Sequence, residues 1–247
     1  MESPKQHPAA TVVLPTLNER ATVADLLKEL DKHLSAQSFS TEILIVDDSS
    51  TDGTVEAALA VQTTIGVRAI VRKNQKGLAS AVLRGFDESL GQVCLVMDAD
   101  GSHTPSLAPA LLRQVISGKA EMAIGSRYVE GGGIKNWGIR RRLISLGATL
   151  LAQPLTHGEH VTDPISGFFA IDKRILGRGQ VNPLGYKIGF EILVCCRPHP
   201  VAELPYVFQD RLAGKSKMSP KQMTEYMRQV GQLYRYTYLG NASKPTA

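Results

Sequence analysis

Short apolar runs alternate with helix-like segments along the first half of the chain. Five of these runs predict strands, which span residues 11–14, 42–46, 67–71, 93–97 and 121–124. Between the runs, apolar residues recur every three or four positions, as in 23–34, and this spacing predicts amphipathic helices. Strands that alternate with helices are typical of a parallel or mostly parallel sheet covered on both faces. The pattern therefore predicts an α/β fold.

The second half of the chain is less regular. Its predicted elements are a glycine loop at 131–133, helices over 140–153 and 185–196, and strands over 167–171 and 201–208. An apolar stripe along 219–238, flanked by basic residues, predicts a helix that packs on the core or lies on a membrane or another protomer. The expected segments are a flexible N-terminus (1–10), a main domain (11–218), a C-terminal amphipathic helix (219–239) and a disordered tail (240–247).

Each predicted strand of the first half ends in a polar cluster, and the fourth cluster is the most informative. Asp98 and Asp100 follow its apolar run and stand two residues apart, so both carboxylates can point to the same side. Ligands collect beyond the carboxyl ends of strands in an open α/β sheet, so we expect a site there. Paired carboxylates suit Mg²⁺ or Mn²⁺, which commonly bridge protein oxygens to substrate phosphates.

The other strand ends add groups that suit a nucleotide sugar. Asp47 and Asp48 close the second strand, where a base edge or ribose hydroxyls could satisfy them. The basic segment 72–77 precedes a helix N-terminus, which favours an anion, although a solvated loop would have the same composition. The fifth strand runs into Arg127. Neither a Walker A loop nor a G-x-G-x-x-G fingerprint after the first strand occurs, so a dinucleotide cofactor is not expected.

Composition limits which cellular compartment and which binding partners are expected. The net charge of +5 and the pI of about 9.1 fit either solubility alone or attraction to phosphate and an anionic membrane surface. Nucleic acid is not expected as a partner, because the basic residues do not alternate with aromatic ones. Three cysteines, two of them adjacent, favour a reducing compartment. No apolar run reaches the roughly 20 residues of a membrane span, and no secretory signal is predicted.

Several longer motifs resemble those of one enzyme family. VVLPTLNE (12–19), IVDDSSTDGT (45–54), MDADGSH (97–103) and GSRY (125–128) resemble motifs of the inverting GT-A glycosyltransferases of family two. RRLIS (141–145), DPISGFF (163–169), GYK (185–187) and RLAGKSKM (211–218) are similar to those of dolichol-phosphate (polyprenol-phosphate) mannose synthases. The resemblance implies a Rossmann-like GT-A fold with a mostly parallel central sheet, a catalytic domain over 11–218 and a C-terminal extension of helix and loop.

The resemblance also implies an activity. It points to a metal-dependent enzyme that moves mannose from GDP-mannose to a dolichyl or polyprenyl phosphate, with inversion at the anomeric carbon. It implies Mg²⁺ or Mn²⁺ as cofactor and a cytoplasmic protein bound peripherally to the cytosolic face of a membrane; a membrane-anchoring partner subunit is a further expectation. Two alternatives stay open: a polyprenyl-phosphate glucosyltransferase that uses UDP-glucose, and a non-catalytic subunit that binds nucleotide sugar.

Individual residues receive roles from the same resemblance. The expected catalytic residues are Asp98, Asp100 and Arg127. The metal is expected on Asp98, Asp100 and Ser102, and the acceptor phosphate on Arg127, Arg141 and Ser145. The residues expected to contact the donor are Pro15, Leu17, Glu19, Val46, Asp47, Asp48, Asp98, Ala99, Asp100, Arg127, Arg211 and Lys217. Leu17 and Lys215 depart from the family pattern, in which Tyr and an acidic residue are common at these positions.

Overall fold

A computed structural model describes residues 7–73, 75–135, 138–156, 160–182, 185–209 and 220–239. Its strands are β1 (Ala10–Thr16), β2 (Thr41–Asp47), β3 (Gly66–Val71), β4 (Val93–Val96), β5 (Met122–Ser126), β6 (Gly133–Ile134), β7 (Phe169–Asp172), β8 (Val201–Pro205) and β9 (Val207–Phe208). Its helices are α1 (Arg20–Leu34), α2 (Thr54–Leu59), α3 (Leu78–Glu88), α4 (Ala108–Ile116), α5 (Ile139–Ala152), α6 (Ile188–Cys196) and α7 (Pro220–Leu239).

A seven-stranded sheet in the order β3-β2-β1-β4-β7-β5-β8 forms the centre of the fold. Strands β1 to β4 pair in parallel, and β8 pairs in parallel with β5. Strand β7 lies between β4 and β5 and is antiparallel to both, so β5 runs in the same direction as β4. The carboxyl ends of the five strands of the first half therefore meet at one edge. This arrangement confirms the predicted mostly parallel α/β sheet.

The strand order reverses at β1. The chain moves outward from β1 to β2 and β3 on one side and then returns to add β4 on the other side. The connection leaving β1 leads to β2 on one side, and the connection leaving β4 leads toward β5 on the other side. The two connections therefore diverge and leave a crevice between them, although α1 and α4 pack on the same face of the sheet. Such a switch point is where ligands bind in open α/β sheets.

The sequence predicted that the first strand ends before Pro15, but in the structure the strand continues through this residue. Pro15 pairs with Val46 inside β1, which continues to Thr16. The carbonyl of Val13 accepts a hydrogen bond from Met97 on the β4 side, so Pro15, two residues later, turns its nitrogen to that side as well. Strand β4 has already ended at Val96. The missing N–H of Pro15 therefore costs no sheet hydrogen bond.

Two other predicted boundaries change in the structure. The predicted strand 201–208 is two strands, because the chain bends at Tyr206, and β9 leaves the main sheet to pair with β6. At the other end of the chain, Ala9 and Ala10 both donate hydrogen bonds to the Ser40 carbonyl, inside the segment expected to be flexible. The tail 240–247 lies outside the described residues.

The C-terminal helix α7 packs on the core. Its residues Tyr226, Val230 and Leu233 are buried in the same apolar layer as α3 and α6. The Tyr226 hydroxyl donates to the Ala148 carbonyl of α5 at 2.6 Å, which joins the two helices. The core-packing interpretation of the 219–238 stripe is thus confirmed. None of the helices in the described ranges is long and apolar enough to cross a membrane.

Gly85 of α3 should tolerate no larger side chain, because α3 lies very close to β1. A Cβ at Gly85 would stand 2.3 Å from Val13 Cγ1. Gly85→Ala should therefore lower the free energy of unfolding by about 1–3 kcal/mol, as overpacked core variants do. Gly231→Ala is the matched control, since a Cβ there meets nothing within 4 Å. Urea unfolding of both variants checks this; equal stability of the two would contradict the described packing.

Candidate active site

A cleft of about 450 Å³ opens at the carboxyl ends of β1 and β4. The end of β1 with the turn after it and the turn after β4 both contribute to its lining. The predicted site residues that line the cleft are Pro15, Leu17, Glu19, Asp48, Asp98, Ala99, Asp100, Arg127, Arg141 and Ser145. Arg211 and Lys217 lie outside the described residues. The structure thus brings together groups predicted from five separate segments of the chain.

Two residues expected to contact the donor, Val46 and Asp47, lie behind the wall of the cleft. Val46 is fully buried in the core. Asp47 accepts hydrogen bonds from the Thr16 hydroxyl at 2.8 Å and from the Ser50 backbone N–H at 2.7 Å. Because successive side chains of a strand point to opposite faces, Asp47 and Asp48 turn away from each other. The Asp47 carboxylate serves the scaffold beneath the cleft; the donor contacts of both residues stay predictions.

Asp48 lines the cleft, but its carboxylate is already bound by two neighbours. Arg72 donates from Nε at 2.6 Å and from Nη2, and the Gly77 backbone N–H donates at 2.8 Å. Both side chains of this ion pair are buried. These contacts fasten Arg72 and Gly77 to the end of β2. Arg72 therefore neutralises Asp48, which differs from the anion-binding role suggested for that loop, whereas Lys76 of the same loop lines the cleft.

His103 is a buried residue of the cleft that is not among the predicted ones. Its Nδ1 accepts a hydrogen bond from the Asp98 backbone N–H at 3.0 Å, and its ring stacks on Phe168 with centroids 4.9 Å apart. Burial lowers the pKa of His103, so the ring is neutral. The hydrogen bond assigns its proton to Nε2, which lies 4.0 Å from Asp98 Oδ2. His103 thus fixes the Asp98 turn; its only sequence signal was its place in the MDADGSH motif.

The oxygens around Asp100 fit a hard divalent cation. The Ser102 backbone N–H donates to Asp100 Oδ1 at 3.0 Å. Ser102 does not line the cleft, but its Oγ is buried and has no hydrogen-bond partner in the described part of the chain. Within the described part of the chain, no group of three or more His, Cys, Asp or Glu side chains could hold a metal ion without further ligands. A cation on Asp98 and Asp100 would therefore need substrate oxygens, as Mg²⁺ commonly does.

Arg127 is clamped by a buried carboxylate. Its Nε and Nη2 donate to Asp163 at 2.7 and 2.6 Å, and its backbone N–H donates at 3.0 Å. Glu203 accepts hydrogen bonds from the backbone N–H groups of Thr162 and Asp163, which holds the Asp163 turn in place. Burial opposes the charge on Arg127, but hydrogen bonds and attraction from Asp163 raise its pKa. The pair has no net charge, so Arg127 brings less positive potential to the cleft than its type suggests.

Lys187, just before α6, also lines the cleft. Burial and, to a smaller extent, the charge of Arg127 lower its pKa to about 8, although Asp98 and Asp163 act in the opposite direction. Its ammonium lies 5.2 Å from the centroid of the Tyr186 ring. Lys187 belongs to the quoted GYK motif but has no role among the predicted site residues.

A buried polar network holds the segment that carries Lys187. Glu191 of α6 accepts hydrogen bonds from the Asn182 backbone N–H at 2.6 Å and from Gln229 Nε2 at 3.1 Å. Gln229 Nε2 also reaches the Lys187 carbonyl at 3.3 Å. A Cβ on Gly185 would stand 2.5 Å from Gln229 Oε1, so this glycine permits the close approach of α7. The network ties α7 to the cleft-lining segment.

Helix α5 has one face in the cleft and one apolar face in solvent. Arg141 and Ser145 line the cleft, and the Ser145 hydroxyl is 3.0 Å from that of Tyr128. On the outer face, Leu143 and Leu150 are each 62% exposed. Ile139, Leu146 and Leu151 extend this apolar stripe. A continuous exposed stripe of this kind is typical of an interaction surface.

The fold and the site define a glycosyltransferase. Residues 11–179 match the family described as glycosyl transferase family 2, and the chain belongs to that family. Among solved structures, it is similar to glucosyl-3-phosphoglycerate synthase from Mycobacterium tuberculosis, determined in complex with Mn²⁺, UDP and glucosyl-3-phosphoglycerate. That likeness has a TM-score of 0.67 at 20% identity and covers 94% of this chain and 81% of the other. At this identity it supports the fold alone.

Similar proteins with assigned names point to one enzyme type within the family. The chain is 40% identical over 227 residues to the dolichol-phosphate mannosyltransferase of Pyrococcus furiosus, which covers 92% of this chain and 64% of the relative. It is also 40% identical to the enzyme of that name from Mycosarcoma maydis and 38% identical to that from Saccharomyces cerevisiae. Those matches cover 94% of this chain in both cases, and 81% and 89% of the relatives. The chain therefore spans less than two thirds of the archaeal relative and most of the fungal ones.

Glu191→Gln should remove a pH-dependent loss of stability. Burial raises the pKa of Glu191 to about 7 from the ordinary 4.5, so the folded state binds more protons than the unfolded state between these values. The free energy of unfolding should therefore fall as pH rises across this range, by on the order of 1–3 kcal/mol, and the neutral amide should lack this loss. Urea unfolding at about pH 5 and about pH 7.5 measures it. An equal loss in both proteins would contradict the assignment.

Proposed function

We propose that this protein transfers mannose from GDP-mannose to a dolichyl or polyprenyl phosphate and produces the inverted lipid-linked sugar. One observation carries the proposal beyond family membership: a cleft with paired carboxylates lies against a helix whose outer face is apolar and exposed. An acceptor with a charged phosphate and a long apolar tail needs this combination. The relatives of about 40% identity, all named dolichol-phosphate mannosyltransferase, support it as well.

The donor is assigned to the β1 and β4 side of the cleft. In this proposal Pro15, Leu17 and Glu19, which line the cleft at the end of β1, contact the nucleoside. Asp48 shapes the same part of the cleft through its ion pair with Arg72. Asp98 and Asp100 then lie next to the diphosphate and the mannose.

The reaction joins an acceptor phosphate oxygen to the anomeric carbon of mannose and breaks the bond from that carbon to the diphosphate, which leaves as GDP. A phosphate monoester has a second pKa near about 6 and is largely dianionic at neutral pH, so the proposal requires no general base. The two substrates repel each other, by about 4 kcal/mol per pair of unit charges about 4 Å apart at an effective dielectric of about 20. The chain's task is to hold them aligned and offset this repulsion.

A divalent cation is part of the proposal. Asp98 and Asp100 would hold it, with Ser102 Oγ available nearby. When bound, Mg²⁺ or Mn²⁺ neutralises charge on the diphosphate leaving group. On the acceptor side, the proposal assigns the phosphate to Arg141 and to Arg127, whose charge Asp163 already offsets.

Asp100→Asn should abolish metal-dependent turnover and leave the fold intact. The amide oxygen can still accept the Ser102 N–H, but the variant loses the negative charge that a divalent cation requires. Mannose transfer from labelled GDP-mannose to polyprenyl phosphate in vesicles, measured with and without Mn²⁺, checks this. Asp25→Asn, on the exposed side of α1, is the matched control. Unchanged turnover in Asp100→Asn would contradict the metal site.

Equal use of UDP-glucose by the wild type would contradict the assigned donor.

The exposed stripe of α5 is the proposed contact with the cytosolic face of a membrane. Leu143 and Leu150 would enter the headgroup region, and the exposed Arg140 and Arg142 on the same helix would meet anionic lipids. This contact would bring the cleft to the phosphate of a membrane-embedded acceptor. A membrane-anchoring partner subunit would strengthen it and remains part of the proposal.

Leu143→Glu combined with Leu150→Glu should weaken vesicle binding by about tenfold or more, because burying two leucines contributes roughly 1.5–3 kcal/mol each. Co-sedimentation with vesicles of neutral and anionic lipid measures the partition. Leu59→Glu is the matched control, since Leu59 is 54% exposed but lies on α2, away from the cleft lining. Equal partition of the two proteins would contradict the assignment of α5.

A further inference from the structure

We propose that Lys187 supplies a positive charge that binds the acceptor phosphate, an inference that rests on the proposed function. Lys187 lines the cleft directly before α6. It shares the cleft with Asp98, which is assigned to the donor, and with Arg127, which is assigned to the acceptor, and the charges of both act on its ammonium. A phosphate that approaches the anomeric carbon from the acceptor side would meet this ammonium.

Two other cations of this region, Arg127 and Arg72, have their charge compensated. Arg127 is held by Asp163 in a two-pronged ion pair, and Arg72 is held by Asp48. Each pair is buried, so its arginine cannot leave its carboxylate without leaving a buried charge uncompensated. The Lys187 ammonium, by contrast, forms no hydrogen bond or ion pair with any residue in the part of the chain that the structure describes; it lies over the Tyr186 ring. A dianionic ligand would complete its coordination.

The backbone of Lys187 is fixed, although its ammonium has no hydrogen-bond or ion-pair partner among the described residues. The Lys187 carbonyl accepts hydrogen bonds from the Glu191 N–H at 3.2 Å and from Gln229 Nε2 at 3.3 Å. Through Gln229 this anchor belongs to α7, which packs against α5 by way of Tyr226. Lys187 is therefore held relative to the helix that carries Arg141. A lysine whose backbone is fixed and whose ammonium lines the cleft is a preorganised binding group, so it loses little entropy when the phosphate binds.

Lys187→Met and Lys187→Arg, each compared with Lys119→Met on an exposed lysine after α4, test the role. The probe is farnesyl phosphate, a soluble prenyl phosphate, titrated calorimetrically into the enzyme with GDP and Mn²⁺. We expect Lys187→Met to weaken its binding by about tenfold or more, as loss of a charge-assisted hydrogen bond does. Lys187→Arg should restore most of this affinity. GDP affinity and melting temperature should stay unchanged in both variants.

Kinetics give a second readout. In Lys187→Met, KM for polyprenyl phosphate should rise with little change in KM for GDP-mannose. Unchanged farnesyl phosphate affinity, or an equal loss of GDP and farnesyl phosphate affinity, would overturn the inference. If Lys187→Met lowers the melting temperature, Lys187→Gln replaces it, judged by the same criteria. A wild-type enzyme that binds farnesyl phosphate through Lys187 but does not use GDP-mannose would contradict the proposed function and leave this inference standing.

Discussion

The reversal of strand order at β1 determines where the chemistry of this protein can occur. Because β2 and β4 lie on opposite sides of β1, the connections at their carboxyl ends diverge and leave a crevice. Parallel pairing brings polar ends of distant segments to that edge. The Asp98 turn, the Glu19 turn and Arg127 meet there although they are far apart in sequence. The family's chemistry thus depends on the reversal of strand order, and the buried apolar side chains of the strands stabilise the sheet in which it occurs.

Two buried ion pairs then decide which charges of the cleft remain available. Asp48 and Arg72 neutralise each other beside the nucleoside wall, and Arg127 and Asp163 do so at the end of β5. A buried pair is costly to break, so these residues act first as scaffold. The groups left to meet a diphosphate and a phosphate are the Asp98 and Asp100 carboxylates and cations such as Lys187.

Local patterns predicted much of this arrangement, and pairings distant in sequence account for the rest. The first five strands follow from short apolar runs, and Asp98 and Asp100 follow from their position after one of them. The insertion of β7 between β4 and β5 could not be predicted, because neighbouring strands in a sheet are chosen by packing across the whole chain. Likewise, the Arg127 clamp joins residues 36 apart, and the sequence shows no periodicity that links Arg127 to Asp163. Pro15 was misjudged because its cost depends on where β4 ends.

The most direct test of the account is the position of a bound cation in a crystal of the protein with GDP-mannose and Mn²⁺. Anomalous scattering from manganese would locate the ion independently of the protein phases. The account predicts a single strong peak within coordination distance of Asp100, shared with the donor diphosphate and adjacent to Asp98. A donor-bound crystal with manganese elsewhere, and with the diphosphate distant from both carboxylates, would contradict it.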